Sequence, residues 1–300
     1  MPTSLTLFTA PKPFTNPHIA TIQRNAIRNW QQLDGVQILL IGDESGMAQA
    51  AAELGVTHLP DVARTPQGTP LIPAIFSLAR QHARAPILAY VNADMLFLPD
   101  FVQAAQTLAG LAESFLGVGQ RWDLDVTETL SFPNEWARQL RERVNTSGRL
   151  HPPAGSDYFI FPRHLFDQIP QFAIGRAGWD NWMIYHAHAR GFPVVDCTPS
   201  VLAIHQNHDY SHLPGGKPHY DHEESRRNIE LAGGEKRMYR ITETTHRLQN
   251  SRLHPIPPSS IRLLRRVELA LLPENGKARG LRRILLRRVR TLRRWLSEEP

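Results

Sequence analysis

The chain has 300 residues, of which 41% are hydrophobic, 21% charged and 8% aromatic. This composition is typical of a globular protein and excludes a disordered chain. A single cysteine, Cys197, excludes an intrachain disulfide framework and a cysteine-rich zinc site. The N-terminus shows no signal-peptide pattern, and no window approaches the roughly 20 apolar residues of a membrane-spanning helix. The sequence therefore favours a cytoplasmic location.

The formal net charge of +6 is concentrated near the C-terminus. Residues 262–294 carry 12 Lys and Arg residues and only two acids, Glu268 and Glu274, whereas residues 1–261 are slightly acidic. A basic tail on a slightly acidic body does not indicate a nucleic-acid-binding domain, so no nucleic-acid partner is expected.

Short apolar strands alternate with helical patterns along the chain. Predicted strands cover residues 5–8, 36–41, 57–59, 87–91 and 115–119, then a run from Tyr158, and 194–196 and 201–204. Predicted helices cover 19–33, 47–54, 71–82 and 101–111, a charged stretch at 131–150, and 179–188. This alternation of helices with near-continuous apolar strands predicts an α/β fold whose mostly parallel sheet is covered by helices on both faces.

Polar side chains follow the predicted strands at the points where they end. Lys12 follows the first strand, Asp43 the second, Asn92 and Asp94 the fourth, and Arg121, with Asp123, the fifth. In open α/β sheets, ligands bind beyond the carboxyl ends of the strands. Loops are polar in any protein, which is the alternative explanation. We favour convergence on one rim because later segments add to it.

The motif Asn92-Ala93-Asp94 directly follows a strongly apolar strand. Carboxylate oxygens are the ligands that Mg²⁺ and Mn²⁺ prefer. Taken alone, the motif is equally well explained as the cap of the following helix.

The segment Gly178-Trp179-Asp180-Asn181-Trp182 places an acid between two tryptophans at a predicted helix start. Apolar surroundings raise the pKa of a carboxyl group toward values useful to a general base. An N-capping aspartate between two core tryptophans explains the segment better if it is considered in isolation.

Histidines are concentrated late in the chain, between residues 205 and 222. Imidazole is a good ligand for divalent ions, although a solvated polar loop is the simpler explanation for most of these residues. His205 is the strongest candidate, because it directly follows the predicted strand 201–204 and would be fixed in position.

The order of these motifs resembles the GT-A class of nucleotide-diphospho-sugar transferases, and most closely bacterial proteins related to glycosyltransferase family 2. The resemblance covers roughly residues 4–225 and includes Gly155-Ser156-Asp157. It implies a Rossmann-like GT-A fold and transfer of a hexose from a nucleotide-diphosphate donor to a hydroxyl acceptor. It also implies Mn²⁺ or Mg²⁺ on the donor diphosphate, and inversion by analogy.

The same resemblance assigns roles to individual residues. Asp94 matches the last acid of the family's Asp-x-Asp motif, which holds the metal on the donor diphosphate. Asn92 departs from the first acid of that motif and is predicted to bind the donor rather than the metal. Asp180 matches the catalytic base of inverting members, His205 a metal-binding histidine, and Asp43 a nucleoside contact. The chemistry of further residues, rather than the resemblance, predicts Lys12 or Arg121 as a second cation on the diphosphate, and Asp157, Trp179 and Trp182 as contacts of the sugar or the acceptor.

The C-terminal residues predict a separate element. Apolar residues at Leu281, Leu285, Val289, Leu292 and Leu296 recur every three or four positions among arginines. A basic amphipathic helix over 281–296 is a candidate for peripheral attachment to an anionic membrane, which would suit a lipid-linked or glycan acceptor. A helix docked on the body or a solubilising tail is the alternative. We therefore predict a glycosyltransferase domain at 1–250 and a basic helical extension at 251–300.

Two other classes of function remain open from the sequence. A metal-dependent phosphoesterase or hydrolase would use the same aspartates and histidines, but the early half of the chain offers few histidines. A non-enzymatic protein that binds lipid or nucleic acid through its arginines would leave the polar strand ends unexplained.

Overall fold

The computed structural model describes residues 3–208, 222–273 and 278–297. For residue 297 only the backbone is described. Within these residues the strands form two sheets. The strand bounds are β1 Leu5–Thr9, β2 Val36–Ile41, β3 Thr57–Leu59, β4 Ile87–Val91, β5 Met95–Leu96, β6 Leu116–Val118, β7 Trp122–Leu124, β8 Arg149–Leu150, β9 Tyr158–Pro162, β10 Val194–Asp196, β11 Ile204–Gln206, β12 His246–Gln249 and β13 Arg252–Pro255.

The larger sheet has nine strands in the order β13-β12-β10-β6-β9-β4-β1-β2-β3. Of these, β9 is antiparallel to both β4 and β6, and β13 is antiparallel to β12. The other seven strands run in the same direction. The predicted α/β class with a mostly parallel sheet is confirmed, and the carboxyl ends of these strands form one rim.

Helices cover both faces of the large sheet, as near-continuous apolar strands require. Along β4, Ala89 packs into one core, with Trp30 and Phe101, whereas Tyr90 packs into the other, with Phe76 and Trp182. The helix bounds are α1 Pro17–Trp30, α2 Met47–Leu54, α3 Ile72–His82, α4 Pro99–Leu111, α5 Trp136–Ser147, α6 Trp179–Ala189, α7 Glu223–Leu231, α8 Ser260–Leu271 and α9 Gly280–Ser297.

The second sheet is small and has the order β5-β11-β7-β8. β11 lies antiparallel to β5 and parallel to β7, and β7 pairs with β8. Because β5 follows β4 after only three residues, this sheet sits directly beyond the carboxyl end of β4. It therefore supplies side chains to the same rim.

Two sequence predictions need correction. The stretch 131–150 is helical only in α5, since Pro133 precedes the helix and Gly148 ends it, and β8 follows. The strand predicted at 201–204 is instead β11, because the amide of Val201 closes a turn onto the carbonyl of Cys197. His205 is consequently inside the strand rather than after it.

The predicted domain boundary at residue 250 falls in the turn between β12 and β13. β13 still pairs with β12 in the large sheet, so the sheet continues to Pro255. The helical C-terminal part begins at Ser260 with α8, and α9 packs against it as a hairpin. Among the helices of the described ranges, none combines the length and the apolar character that a membrane crossing requires.

Candidate active site

The direction of the strands brings the predicted polar residues to one rim. Lys12 follows β1, Asp94 follows β4 and Arg121 follows β6 at their carboxyl ends. Asp157 immediately precedes β9, and because β9 runs in the opposite direction its start lies at the same edge. The amide of Asn92 donates to the carbonyl of Asp157 at 2.8 Å, which joins the two chain segments there.

The Asp94 carboxylate lies at the centre of a buried polar cluster. Its Oδ2 is 3.1 Å from His208 Nε2, 3.9 Å from His205 Nε2 and 3.9 Å from Lys12 Nζ. Lys12 Nζ is itself 3.2 Å from His208 Nε2. Asp94 Oδ1 is buried and has no hydrogen-bond partner among the described residues. One carboxylate oxygen is therefore available to a ligand.

The backbone of Asp94 is fixed by the strand that carries His205. The amide of Gln206 donates to the Asp94 carbonyl at 3.1 Å, and the Gln206 side chain donates to the Ile22 carbonyl of α1 at 2.8 Å. Gln206 is fully buried, and successive side chains of a strand point to opposite faces. His205 is therefore directed to the site while Gln206 anchors the strand.

Asp123 lies behind His205 and fixes its ring. His205 pairs with Asp123 across β11 and β7, and His205 Nδ1 lies 3.5 Å from Asp123 Oδ1. The same carboxylate accepts from Arg121 Nε at 2.9 Å and lies 2.8 Å from His151 Nδ1. With Nδ1 directed at Asp123, Nε2 of His205 is the nitrogen that faces Asp94.

The electrostatics favour a charged Asp94. Burial alone would raise the pKa of Asp94, but His205, His208 and Lys12 lower it well below its usual range. Burial would lower the pKa of His205, yet Asp94 and Asp123 raise it above its ordinary value. Burial lowers the pKa of Lys12, and Asp94 and Asp157 only partly offset that effect. The cluster is a buried anion with compensating cations.

The donor set fits a divalent cation. Ligand atoms of Asp94, His205 and His208 all lie within 4.8 Å of one another. Carboxylate and imidazole are both ligands that Mn²⁺ accepts. Asp94 Oδ1 is buried and has no partner among the described residues, so it supplies a binding direction that these residues leave open. The Asp123 carboxylate faces the ring nitrogen of His205 that is directed away from Asp94, and such a contact orients a metal-binding histidine.

Asp157 is held by Asn92 and Arg121, two of the residues that were predicted to contact the donor. Arg121 Nη1 lies 2.7 Å from both Asp157 oxygens, and Asn92 Nδ2 donates to Asp157 Oδ1 at 2.9 Å. The Asn92 amide oxygen accepts from the hydroxyl of Tyr90 at 3.1 Å. Asn92 and Arg121 thus position Asp157, and both groups of the Asn92 amide have protein partners.

Asp180 lies in the first turn of α6, after a glycine turn. Gly178 has φ of 108°, a conformation that side-chain-bearing residues rarely adopt, so glycine is required to begin the helix here. Burial and the charge of Asp157 raise the pKa of Asp180, although backbone amides at the helix start partly oppose this shift. Burial raises the pKa of Tyr90, and the charges of Asp94, Asp157 and Asp180 raise it further, so all three carboxylates lie within electrostatic range of one hydroxyl group.

The predicted aromatic contacts have packing partners of their own. Trp179 is 5% exposed and meets Tyr90 edge-on, with ring centroids 5.0 Å apart. Trp182 is 6% exposed and stacks on His186, with centroids 4.5 Å apart. Rings buried to this degree hold the start of α6 against the sheet, and a contact of Trp179 or Trp182 with the sugar or the acceptor stays a prediction.

Asp43 follows β2 at the same edge of the sheet and is exposed. Its carboxylate pairs with Arg64, which also contacts Glu44 at 3.0 Å. A nucleoside contact by Asp43 stays a prediction.

Two site residues escaped the sequence analysis as individual candidates. His208 was included only in a histidine-rich run, and the rest of that run, from residue 209 to 221, lies outside the described residues. His151 follows β8, a strand that the charged helical pattern concealed. A histidine three residues after His205 was the only available signal for His208.

No protein-family model matches the chain, and no curated protein sequence matches it. Its structure is similar to that of a mannosyltransferase from Pyrobaculum calidifontis in complex with GDP-Man and Mn²⁺, with a TM-score of 0.47 and 13% identity over 77% of this chain and 63% of that one. It is also similar to S. aureus TarS 1–349 in complex with UDP-GlcNAc, with a TM-score of 0.48 and 12% identity over 77% and 65%.

A third similar structure is glucosyl-3-phosphoglycerate synthase from Mycobacterium tuberculosis with Mg²⁺ and UDP, with a TM-score of 0.44 and 16% identity over 77% and 80%. The chain spans less than two thirds of the first two proteins. The likeness to these three structures concerns the path of the chain alone.

Proposed function

We propose that the chain is a metal-dependent glycosyltransferase that moves a sugar from a nucleoside-diphosphate donor to a hydroxyl acceptor. The observation that carries the proposal is the buried Asp94, whose Oδ1 lacks a partner among the described residues and whose other oxygen faces His205 and His208. The cluster lies at the rim where open α/β sheets bind ligands.

Asp94, His205 and His208 would hold the cation, which supplies Lewis-acid stabilisation of the charge on the leaving diphosphate. Lys12 adds a fixed ammonium group beside these residues, 3.9 Å from Asp94. A positive group placed before the reaction stabilises developing negative charge without reorganisation. Lys12, rather than Arg121, is therefore the second cation in this proposal, since the Arg121 guanidinium is already paired with Asp123 and Asp157.

Asp180 would accept the proton of the attacking hydroxyl. Its raised pKa suits a general base, and its first-turn position on α6 fixes its direction. Asp157, held by Arg121 and Asn92, would bind hydroxyl groups of the donor sugar or the acceptor. If Asp180 deprotonates an acceptor on the side of the sugar opposite the diphosphate, the product is inverted, which the anomeric coupling constant of the product reports by NMR.

Thermal shift measurements with UDP-sugars and GDP-sugars, with and without Mn²⁺, test the proposal. We expect one nucleotide series to stabilise the protein in a Mn²⁺-dependent manner, because a ligand that binds only the folded state raises its stability. Asp94→Asn should remove the shift. Asp34→Asn is the matched control, because Asp34 is exposed and precedes β2 at the other edge of the sheet.

The thermal shift, together with an assay for phosphate release, separates the competing functions. A phosphoesterase would release inorganic phosphate from a phosphoester in the presence of Mn²⁺, without a sugar acceptor. A protein that only binds lipid would show no shift with any nucleotide. A screen of a donor library for nucleotide release, run on the responding series, identifies the sugar. Stabilisation of Asp94→Asn equal to that of the unmodified protein would overturn the proposal.

A further inference from the structure

The C-terminal hairpin has a firmly docked face. Leu286 of α9 is 6% exposed against α8. Buried Glu268 of α8 accepts from Arg290 Nε at 2.9 Å and from Arg293 Nε at 3.0 Å. Arg282 donates to carbonyls at the end of α8, including that of Leu271 at 2.7 Å. These contacts fix which side of α9 faces the protein.

A second apolar face of α9 points away from this contact. At about 100° per residue, five side chains fall within an arc of about 100° centred roughly 150° from Leu286. They are Leu281, Ile284, Leu285, Leu292 and Trp295, and we call them the exposed stripe. Their exposed fractions are 79%, 51%, 50%, 46% and 58%. The stripe is therefore not part of the hairpin's own core.

Arginines accompany the exposed stripe. Arg288 falls inside its arc, Arg287 lies about 60° outside the arc, and Arg283, one helical turn from Arg287, lies about 100° outside it. All three are exposed and make no ion pair with any residue that the structure describes. No acid occurs anywhere in α9. This surface thus combines apolar side chains with arginines that pair with no acid of the described ranges.

We propose that the exposed stripe of α9 lies on the surface of an anionic lipid bilayer. A helix parallel to the membrane buries its apolar face at the headgroup boundary while arginines contact lipid phosphates. The charge of the stripe distinguishes a membrane from a second protein molecule as its partner. A second copy of the chain would bring an equally positive stripe against the first. A nucleic acid would match the arginines but not five apolar side chains. The inference stands independently of the proposed transferase activity.

Vesicle flotation with the full chain tests this inference. We expect binding to vesicles of phosphatidylcholine and phosphatidylglycerol, and much weaker binding to phosphatidylcholine alone. Replacing Leu281, Leu285 and Trp295 with Ser should reduce the partition coefficient at least tenfold. The matched control replaces Leu111 and Leu150, which are 47% and 40% exposed outside α9, with Ser.

The charge is tested separately with the Arg283→Gln, Arg287→Gln, Arg288→Gln variant. Each basic residue near an anionic surface contributes about fivefold in affinity, so the triple variant should bind about a hundredfold more weakly. Its control replaces Arg84, Arg227 and Arg252, which are exposed on other elements, with Gln. Circular dichroism of each variant establishes that α9 is still folded.

Each outcome decides the question. Selective loss of binding in both α9 variants supports the inference, as does quenching of Trp295 fluorescence by brominated lipid. Absence of binding to anionic vesicles, or equal loss in the two controls, overturns it. A dimer in light scattering that the stripe variant dissociates would assign the stripe to a second copy instead. Competition by RNA that is insensitive to the stripe variant would also overturn it.

Discussion

Two buried carboxylates in this protein, Glu268 and Asp94, are each surrounded by cationic side chains but differ in how completely their oxygens are paired. Glu268 is 3% exposed, and Arg265, Arg290 and Arg293 occupy both of its oxygens. Asp94 is 8% exposed, yet its Oδ1 has no partner among the described residues. The neighbours also differ: guanidinium groups stay charged and offer no lone pair, whereas a neutral imidazole can bind a metal.

The comparison shows that the partners of a buried charge, rather than its burial, indicate its role. Burial would raise both pKa values, and the surrounding cations lower both instead. Glu268 is saturated and joins two helices, so it acts as a structural link. Asp94 has one oxygen without a partner among the described residues, and its imidazole neighbours can bind a cation through a lone pair. Five predictions test these roles and that of Asp180, from the largest expected effect to the smallest.

Replacing Asp94 with Asn should reduce transferase activity on the order of 10³-fold, comparable to the loss of a main electrostatic group at an active site. The Mn²⁺-dependent thermal shift should vanish at the same time. Nucleotide release with the responding donor measures the first effect. Asp34→Asn should retain full activity, and activity of Asp94→Asn within tenfold of the unmodified protein would contradict the assignment.

Replacing Glu268 with Gln should cost stability and leave the chemistry unchanged. Removing one partner of a buried ion pair leaves uncompensated charge and costs about 3–5 kcal/mol. Urea unfolding monitored on α9 measures this loss, and activity per folded molecule should stay the same. Glu235→Gln is the control, since Glu235 contacts the same Arg290 at 3.7 Å but is 65% exposed. Equal stability of the two variants would show that Glu268 is not the link.

Replacing Asp123 with Asn should weaken Mn²⁺ binding about 10–100-fold, the usual cost of losing an outer-shell partner of a ligating histidine. Because Asp123 acts through His205, saturating Mn²⁺ should restore most of kcat. Titration calorimetry with Mn²⁺ gives the affinity, and kinetics at high Mn²⁺ gives the recovery. Asp125→Asn, an exposed neighbour, is the control. A kcat that stays low at saturating Mn²⁺ would mean that Asp123 contacts the substrate.

The pH dependence of kcat/KM should reflect the ionisation of the Asp180 carboxyl group. A base must be deprotonated, so a raised pKa places the acid limb of kcat/KM above the pH of an ordinary aspartate, near 3.9. Below this limb the rate falls about tenfold per pH unit. Asp180→Asn should remove the limb along with most of the activity, and its own residual rate should be independent of pH in this range.

The raised pKa of Asp180 also predicts how this residue affects the free energy of unfolding. A carboxyl whose pKa is raised on folding stabilises the protein below its unfolded pKa, and this contribution is lost as the pH rises through the folded value. Asp180→Asn should therefore be slightly more stable than the unmodified protein at pH 7. A loss of stability at pH 7 would assign Asp180 a purely structural role at the start of α6.

The sequence was sufficient for the strands that build the rim. β2, α2, β3 and β4 have the predicted bounds, and for β2 and β4 the reason is that each is an apolar run that ends at a glycine or a polar residue. Asp94 was recognisable because it directly follows such a run. The second sheet was not predictable, since β5, β7, β8 and β11 are only two or three residues long and give no periodicity.

The roles of individual polar groups also required coordinates. Asn92 and Arg121 were predicted on the donor, yet both hold Asp157, and nothing in their spacing reveals the antiparallel β9 that brings Asp157 beside them. The C-terminal stripe shows the same limit. Helical periodicity indicated apolar residues in α9, but only the position of Glu268 separates the docked face from the exposed one.

The central claim is that one divalent cation contacts both the histidines beside Asp94 and the diphosphate of the donor. Electron spin echo measurements on Mn²⁺-loaded protein, with the responding nucleoside diphosphate added, test it directly. We predict nitrogen coupling from imidazole and phosphorus coupling from the diphosphate at the same ion, with the nitrogen coupling reduced in His205→Ala. Phosphorus coupling without any nitrogen coupling would contradict the account.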